Sequence, residues 1–186
     1  NIADLQTLAA NKKLFLDVVG FRILSKGESI GEAFTVSSDY QDHYRVGGIK
    51  LVLDGSPQGK TAWLTEPYAH PPHGQGEDYK GYPRLDDTEV NEFISESFSR
   101  GFPVLAHANG DSAADQLVNA VTLANEALGA ADRRPVMIHA QTVREDQIDQ
   151  MQALGIVPSY FVAHTFYWGD WHRDSVFGAE RASRIS

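Results

Sequence analysis

Three apolar runs carry, at or near their ends, an ionisable side chain of a kind that binds metal or moves protons. Lys50 lies within "IKLVLD" (49–54), His107 closes "FPVLAH" (102–107) and His139 closes "RPVMIH" (134–139). Imidazole ligates divalent cations and titrates near neutral pH, so two such histidines could hold a metal or serve as general bases. Each residue alone has a plainer reading. A strand lysine commonly snorkels or lies on an edge, and a histidine at a strand end is commonly a hydrogen-bonded structural group. The recurrence at three run ends is what points to a shared site. No short metal motif such as His-x-His or His-Glu-x-x-His accompanies it.

Such a site needs elements whose ends converge. Short apolar runs alternate here with segments of helical period, the pattern of βα units with a parallel sheet. Strands are expected over 13–24, 44–54, 102–108, 134–140 and 156–164. Three helices have start and stop signals. Asp86 and Glu89 form a capping-box pair before Val90, Phe93, Ile94 and Phe98, with Gly101 at the C-terminal cap. Asp111, as an N-cap, precedes Leu117, Val118, Val121 and Leu128, with Gly129 closing. Thr142 and Glu145 open a third helix with Ile148, Met151 and Leu154 on one face and Gly155 at its end. Within "IKLVLD", alternation places Ile49, Leu51 and Leu53 toward the helices and Lys50, Val52 and Asp54 on the opposite face. In a barrel that second face points inward. Asp54 then either supports Lys50 or simply forms a turn with Gly55 and Ser56.

One connection is long. Residues 55–85 hold many glycines and prolines together with Trp63, Tyr68, His70, His73, Tyr79 and Tyr82, and read as a lid or pocket wall. His70 and His73 are expected to face solvent. A second aromatic stretch, "HTFYWGDWHRD" (164–174), reads as a loop above the same mouth. His164, which ends the fifth run, is the best substrate-contact candidate, joined by Tyr167, Trp168 and Trp63. His172 and Asp174 are expected at the surface or as caps. The competing reading has the tryptophans packing the loop onto the rim.

The bulk numbers exclude several classes. The 186 residues carry a formal charge of −9, from 16 basic and 25 acidic side chains, with no basic run longer than two. Nucleic acid and anionic membranes are therefore not expected partners. There are no cysteines, so thiolate metal sites, disulfides and cysteine nucleophiles are absent. No stretch approaches the ~20 apolar residues of a membrane helix. The opening "NIADLQTLAANKK" has no signal-peptide pattern and reads as the inside of a longer chain. Cytoplasmic location is the default expectation.

The segments "KLVLDGSPQGKTAWLTEPY", "VLAHANGDSAADQLVNAV", "RPVMIHAQTVREDQIDQM" and "SYFVAHTFYWGDWHRD", in that order, resemble the metal-dependent amidohydrolase superfamily. The resemblance is to the group with N-substituted formamide deformylase and the YtcJ-like hydrolases. It implies an α/β fold of (β/α)8 TIM-barrel type with metal ligands at strand ends. Lys50 matches the family's strand 4 lysine, which is often carboxylated, and His107 and His139 match the histidines of strands 5 and 6. A carbamate on Lys50 could bridge two divalent cations about 4 Å apart. The family's His-x-His pair and strand 8 aspartate have no counterpart in these residues. A full barrel takes about 250 residues. The chain is thus expected to be the central part of one barrel domain, about strands 3 to 7 and five βα units.

Its edges are then expected to be covered by another chain or copy. The implied reaction is hydrolysis of a non-peptide C–N bond in a small-molecule amide, formamide or cyclic amide. It would use one or two divalent ions, zinc being the best match to histidine and oxygen ligands. The general base, an aspartate, would lie outside these residues, so no turnover is expected of them alone. An esterase or lactonase on the same scaffold, or a non-catalytic binding protein of this fold, are the alternatives.

Overall fold

A computed structural model describes residues 2–185 of the protein. Helix α1 (Ile2–Ala10) leads into five strands: β1 (Val18–Ile23), β2 (Tyr44–Val52), β3 (Val104–Ala108), β4 (Val136–His139) and β5 (Val157–Tyr160). All four pairings are parallel, and the strands lie in the order of the chain, β1 to β5. Every crossover therefore advances by one strand in the same direction, as in a barrel wall, without the reversal of a doubly wound sheet. Helices α2 (Asp87–Ser99), α3 (Asp111–Leu128) and α4 (Glu145–Leu154) make the last three crossovers. Residues 24–43, between β1 and β2, contain no helix, so the helical rhythm begins one unit later than expected.

The core lies between the sheet and these helices. Ile49, Leu51 and Leu53 are fully buried beside Val90, Ile94, Leu117 and Val121, while Lys50 and Val52 on the other face are only half-buried. The alternation in β2 is thus as the sequence implies. Helix α2 starts on the capping box, with Asp86 Oδ1 accepting from Glu89 N–H and Glu89 Oε2 accepting from Asp86 N–H. Gly101 (φ +69°) and Gly155 (φ +67°) take the left-handed conformation that ends α2 and α4.

The ends of the elements depart from expectation in physically informative ways. The first strand starts at Val18, leaving Phe15 87% exposed. Gly110, not Asp111, caps α3. Asp111 is instead the first helical residue, and its carboxylate accepts from the Thr65 N–H at 2.9 Å and from the Thr65 hydroxyl. On α4 the cap is Arg144, whose N–H donates to Gln147 Oε1, while the Thr142 hydroxyl donates to the Asn109 carbonyl. Gln147 takes a buried place and Ile148 is exposed.

Residues 53–86 form no helix or strand, but they carry a small core of their own. Ala62, Leu64 and Tyr68 pack with Val176 and Phe177, and the Tyr68 hydroxyl donates to the Ala62 carbonyl at 2.7 Å. Lys60 Nζ donates to the His70 carbonyl within the loop (2.6 Å) and, through Ser175 Oγ (2.8 Å), ties the loop to the C-terminal region. His70 and His73 are exposed, as expected.

The stretch expected to be a loop after β5 is helical. Helix α5 (His164–Trp171) continues into a π-helical turn (His172–Val176), followed by the short α6 (Ala179–Ala182). Ala163 at the N-cap supplies no capping side chain, and Gly169 with several aromatics lowers helix propensity, so local signals did not favour this helix. Tertiary burial does: His164 and His172 lie eight residues apart, two turns along one helical face, and both are fully or nearly fully buried. His172 is therefore interior, contrary to the surface placement its sequence context suggested. Among the described residues no helix is long and apolar enough to cross a membrane.

Candidate metal site at the strand ends

The parallel register decides what meets at the C-terminal edge of the sheet. Val52 pairs with His107 and Ala108 with His139, so the two histidines sit at nearly the same height on adjacent strands. Their rings stand edge to face with centroids 4.6 Å apart and planes at 80°. Lys50 projects from the half-buried face of the neighbouring strand β2, two residues before its end. Its positive charge contributes to the lowered pKa of both histidines. The three residues form one electrostatic neighbourhood.

Each ionisable group is biased toward its neutral form. Burial pushes the Lys50 amine below its ordinary value. Burial likewise pushes the His107 imidazole down, against its hydrogen bond to Gly55, with the charges of Lys50 and Arg84 adding to the lowering. His139 is driven down to about 4 by burial, then by His107 and Lys50. At neutral pH it is an imidazole with a lone pair, the form that ligates metal.

The turn below His107 fixes which of its nitrogens is free to coordinate. His107 Nε2 lies 2.8 Å from the Gly55 carbonyl oxygen. The Gly55 carbonyl and, at 3.5 Å, Asp54 Oδ1 can only accept. These two acceptors outweigh the Asn109 amide nitrogen 3.0 Å from Nε2, so Nε2 carries the proton and Nδ1 keeps the lone pair. Asn109 Nδ2 donates to the same carbonyl at 2.7 Å. Asp54 completes the support. Fully buried, its carboxylate accepts backbone N–H groups from Trp63 (3.0 Å), Asn109 (3.0 Å) and Gly110 (2.7 Å), and Oδ1 stands 3.5 Å from His107 Nε2. Burial raises its pKa to about 6, opposed by those three N–H bonds, which leaves it ionised at pH 7. Asp54 is thus a tie between three segments next to Lys50 and His107.

The backbone at His139 is strained. His139 has φ +77° and Ala140 φ +45°, two successive non-glycine residues in the left-handed region, each costing about 1–3 kcal/mol. This break ends β4 at His139, one residue before the expected end.

The four substrate-contact candidates fall in different places. Trp63 packs against the main core. Tyr167 is 69% exposed and rests on Phe166, and Trp168 is partly exposed on the same helix. His164 is buried and connects to the histidine pair through Phe161, whose ring lies 6.3 Å from His139 and 6.1 Å from His164. Asn109, Gln141 and Phe161 were not singled out from sequence. Asn109 and Gln141 each follow a site histidine by two residues, the only local hint they carry.

A donor set for a divalent cation is present in part. Two neutral imidazoles, one with its tautomer fixed, stand beside a lysine of lowered pKa. Among the described residues no group of three or more His, Asp or Glu gathers to hold a metal. An unmodified ammonium would repel a cation, whereas a neutral amine is the form that can be carboxylated.

Comparison with known proteins agrees with this architecture. The chain is 31% identical over 125 residues to YtcJ of Bacillus subtilis (strain 168), an alignment spanning 66% of this chain and 22% of that protein. It is 28% identical over 141 residues to the protein LONG AFTER FAR-RED 3 of Arabidopsis thaliana, covering 76% and 23% respectively. An uncharacterized metal-dependent hydrolase from Pyrococcus furiosus superposes with a TM-score of 0.74 at 26% identity, over 99% of this chain and 36% of that one. A corresponding hydrolase from Pyrococcus horikoshii OT3 gives 0.75 at 22% identity and shows the same fold. The chain thus spans roughly a quarter to a third of the length of these relatives. The amidohydrolase family profile matches residues 1–186 from end to end, and the chain belongs to the amidohydrolase family.

Proposed function

We propose that these residues form the central wall of a metal-dependent hydrolase that cleaves non-peptide C–N bonds in small amides, formamides or cyclic amides. The observation that carries the reading is the His107–His139 pair, 4.6 Å between centroids, with Lys50 beside it on the adjacent strand. His107 through Nδ1 and His139 through its ring nitrogen are the imidazole ligands. Lys50, as a carbamate, is the oxygen ligand. Carboxylation joins the neutral amine to CO2 and releases one proton, and the lowered pKa of Lys50 favours the amine form that reacts.

The bound metal, zinc or an ion of similar preference, supplies polarisation of the scissile carbonyl and a water acidic enough to ionise near neutral pH. Around it, Gly55 fixes the His107 proton at Nε2, and Asp54 holds the β2 and β3 ends in register. Phe161 walls one side of the site. Trp63, His164, Tyr167 and Trp168 remain the residues proposed to meet substrate, His164 being linked to the pair through Phe161. The exposed apolar side chains along the open edges, Ile23 on β1 with Val157 and Tyr160 on β5, are proposed to be covered by further strands or a second copy.

The test is metal analysis and hydrolysis of a panel of N-formyl and N-acyl amines by the full-length polypeptide carrying these residues, with and without His139→Ala. Bound divalent metal and turnover that both fall in the variant support the reading. Turnover that survives both exhaustive chelation and His139→Ala overturns it.

A further inference from the structure

Gln141 leaves the strained turn two residues after His139 and is 1% exposed. Its amide nitrogen sits between two buried imidazoles, 3.2 Å from His164 Nδ1 and 3.5 Å from His172 Nε2. An amide NH2 only donates, so both ring nitrogens accept and His172 carries its proton on Nδ1. That Nδ1 is buried without a hydrogen-bond partner. A buried, unpaired N–H is destabilising, and a phenylalanine would fill the same space among His164 and Phe177 without it. The backbone also widens into a π-helical turn at His172, closed by Phe177 N–H to the His172 carbonyl at 2.8 Å. Such turns concentrate at functional sites.

What this arrangement secures is the turn bearing His139. Two successive left-handed residues persist only where their surroundings hold them. Backbone bonds grip the turn on one side, from Ala140 N–H to the Ala108 carbonyl and from Thr142 N–H to the Asn109 carbonyl, each 3.0 Å. On the other side the grip is Gln141, pinned to α5 and the π-helical turn by the two imidazoles.

We propose that Gln141 and His172 are positioning residues for His139, holding its strained turn so that the ring stays edge-on to His107 as a metal ligand. The proposal rests on the metal-site reading above. Partners that orient a ligand without touching the metal typically account for about 10–100-fold in metal affinity.

The test measures Zn²⁺ affinity of the full-length polypeptide by chelator competition, with circular dichroism and thermal melting to confirm folding. Gln141→Leu and His172→Phe are expected to bind Zn²⁺ about 10–100-fold more weakly while remaining folded. His172→Gln, which returns an acceptor to Gln141, is expected to recover most of the loss. Gln141→Asn keeps the amide but is one methylene too short to span both rings, so it reads the same effect should the leucine variant unfold. Wild-type affinity in folded Gln141→Asn and His172→Phe overturns the proposal. His139→Ala separates the two levels: if it leaves Zn²⁺ affinity unchanged, the metal-site reading itself fails; if it lowers affinity while the Gln141 and His172 variants do not, only the positioning role fails.

Discussion

The Asp54 carboxylate accepts the Gly110 N–H at 2.7 Å, so the end of β2 is bonded directly to the N-cap of α3, 56 residues later in the chain. The same carboxylate takes the Trp63 and Asn109 N–H groups. One buried side chain therefore closes the ends of two strands and the start of the long loop around the site.

Replacing Asp54 should show this coupling. Asp54→Ala leaves three inward N–H groups without an acceptor, and each unsatisfied buried donor costs about 1–3 kcal/mol. A loss of at least about 3 kcal/mol is expected in urea unfolding at pH 7. Asp54→Asn keeps one acceptor oxygen and should fall between the variant and wild type. Equal stability of Asp54→Ala and wild type would sink this account.

Gly110 is fixed by close approach. A Cβ built there overlaps the Trp63 carbonyl oxygen and comes within 2.8 Å of its nitrogen, and both partners are backbone that cannot swing away. Gly110→Ala is expected to cost at least about 1–3 kcal/mol and to raise protease sensitivity within residues 55–85. The Gly101→Ala control has nothing within 4 Å of its Cβ, though its φ of +69° adds backbone strain. It should leave cleavage in that loop unchanged.

His172 should shape the acid limb of stability. Burial, then the neighbouring His164, lowers its pKa to about 4, against an unfolded value near 6.5. Between those values the unfolded chain binds the proton and the folded chain refuses it. Stability is therefore fully present above about pH 6.5 and declines as pH falls toward 4. In metal-free protein His172→Phe should lose less stability than wild type across that window, by up to about 3 kcal/mol. Thermal melts at stepped pH provide the comparison, and parallel curves would refute the assignment.

Lys50 can be separated from its charge. Lys50→Arg keeps the positive side chain but cannot form a carbamate, and Lys50→Met removes both. Both are expected to reduce zinc affinity beyond the ~10–100-fold of an orienting partner. Native mass spectrometry of wild type in bicarbonate should show the mass of one added CO2. Wild-type zinc affinity in Lys50→Arg would rule out the carbamate ligand.

Much of this arrangement is legible before folding. Alternation in "IKLVLD" separates Lys50 from the aliphatic core face, and run ends locate His107 and His139, because strand period and helix caps are local properties of the chain. The pairing of Val52 with His107 and of Ala108 with His139 is not local. It follows from the register of strands more than 30 residues apart.

The misjudged elements share a cause. Asp111 has the side chain of an N-cap, but Thr65, distant in sequence, competes for its oxygens and Gly110 takes the cap. "HTFYWGDWHRD" has weak helix signals, yet it folds as α5 because burying His164 and His172 beside Gln141 requires one helical face. The sequence by itself determined the strands, the capping box that opens α2, the glycines that close α2, α3 and α4, and the identity of the polar residues at strand ends. Only the tertiary structure decided which backbone groups Asp54 would satisfy, which nitrogen of His107 would keep its lone pair, and that His172 would be interior. Those outcomes depend on hydrogen bonds and burial between segments remote in the chain, where no local pattern carries the information.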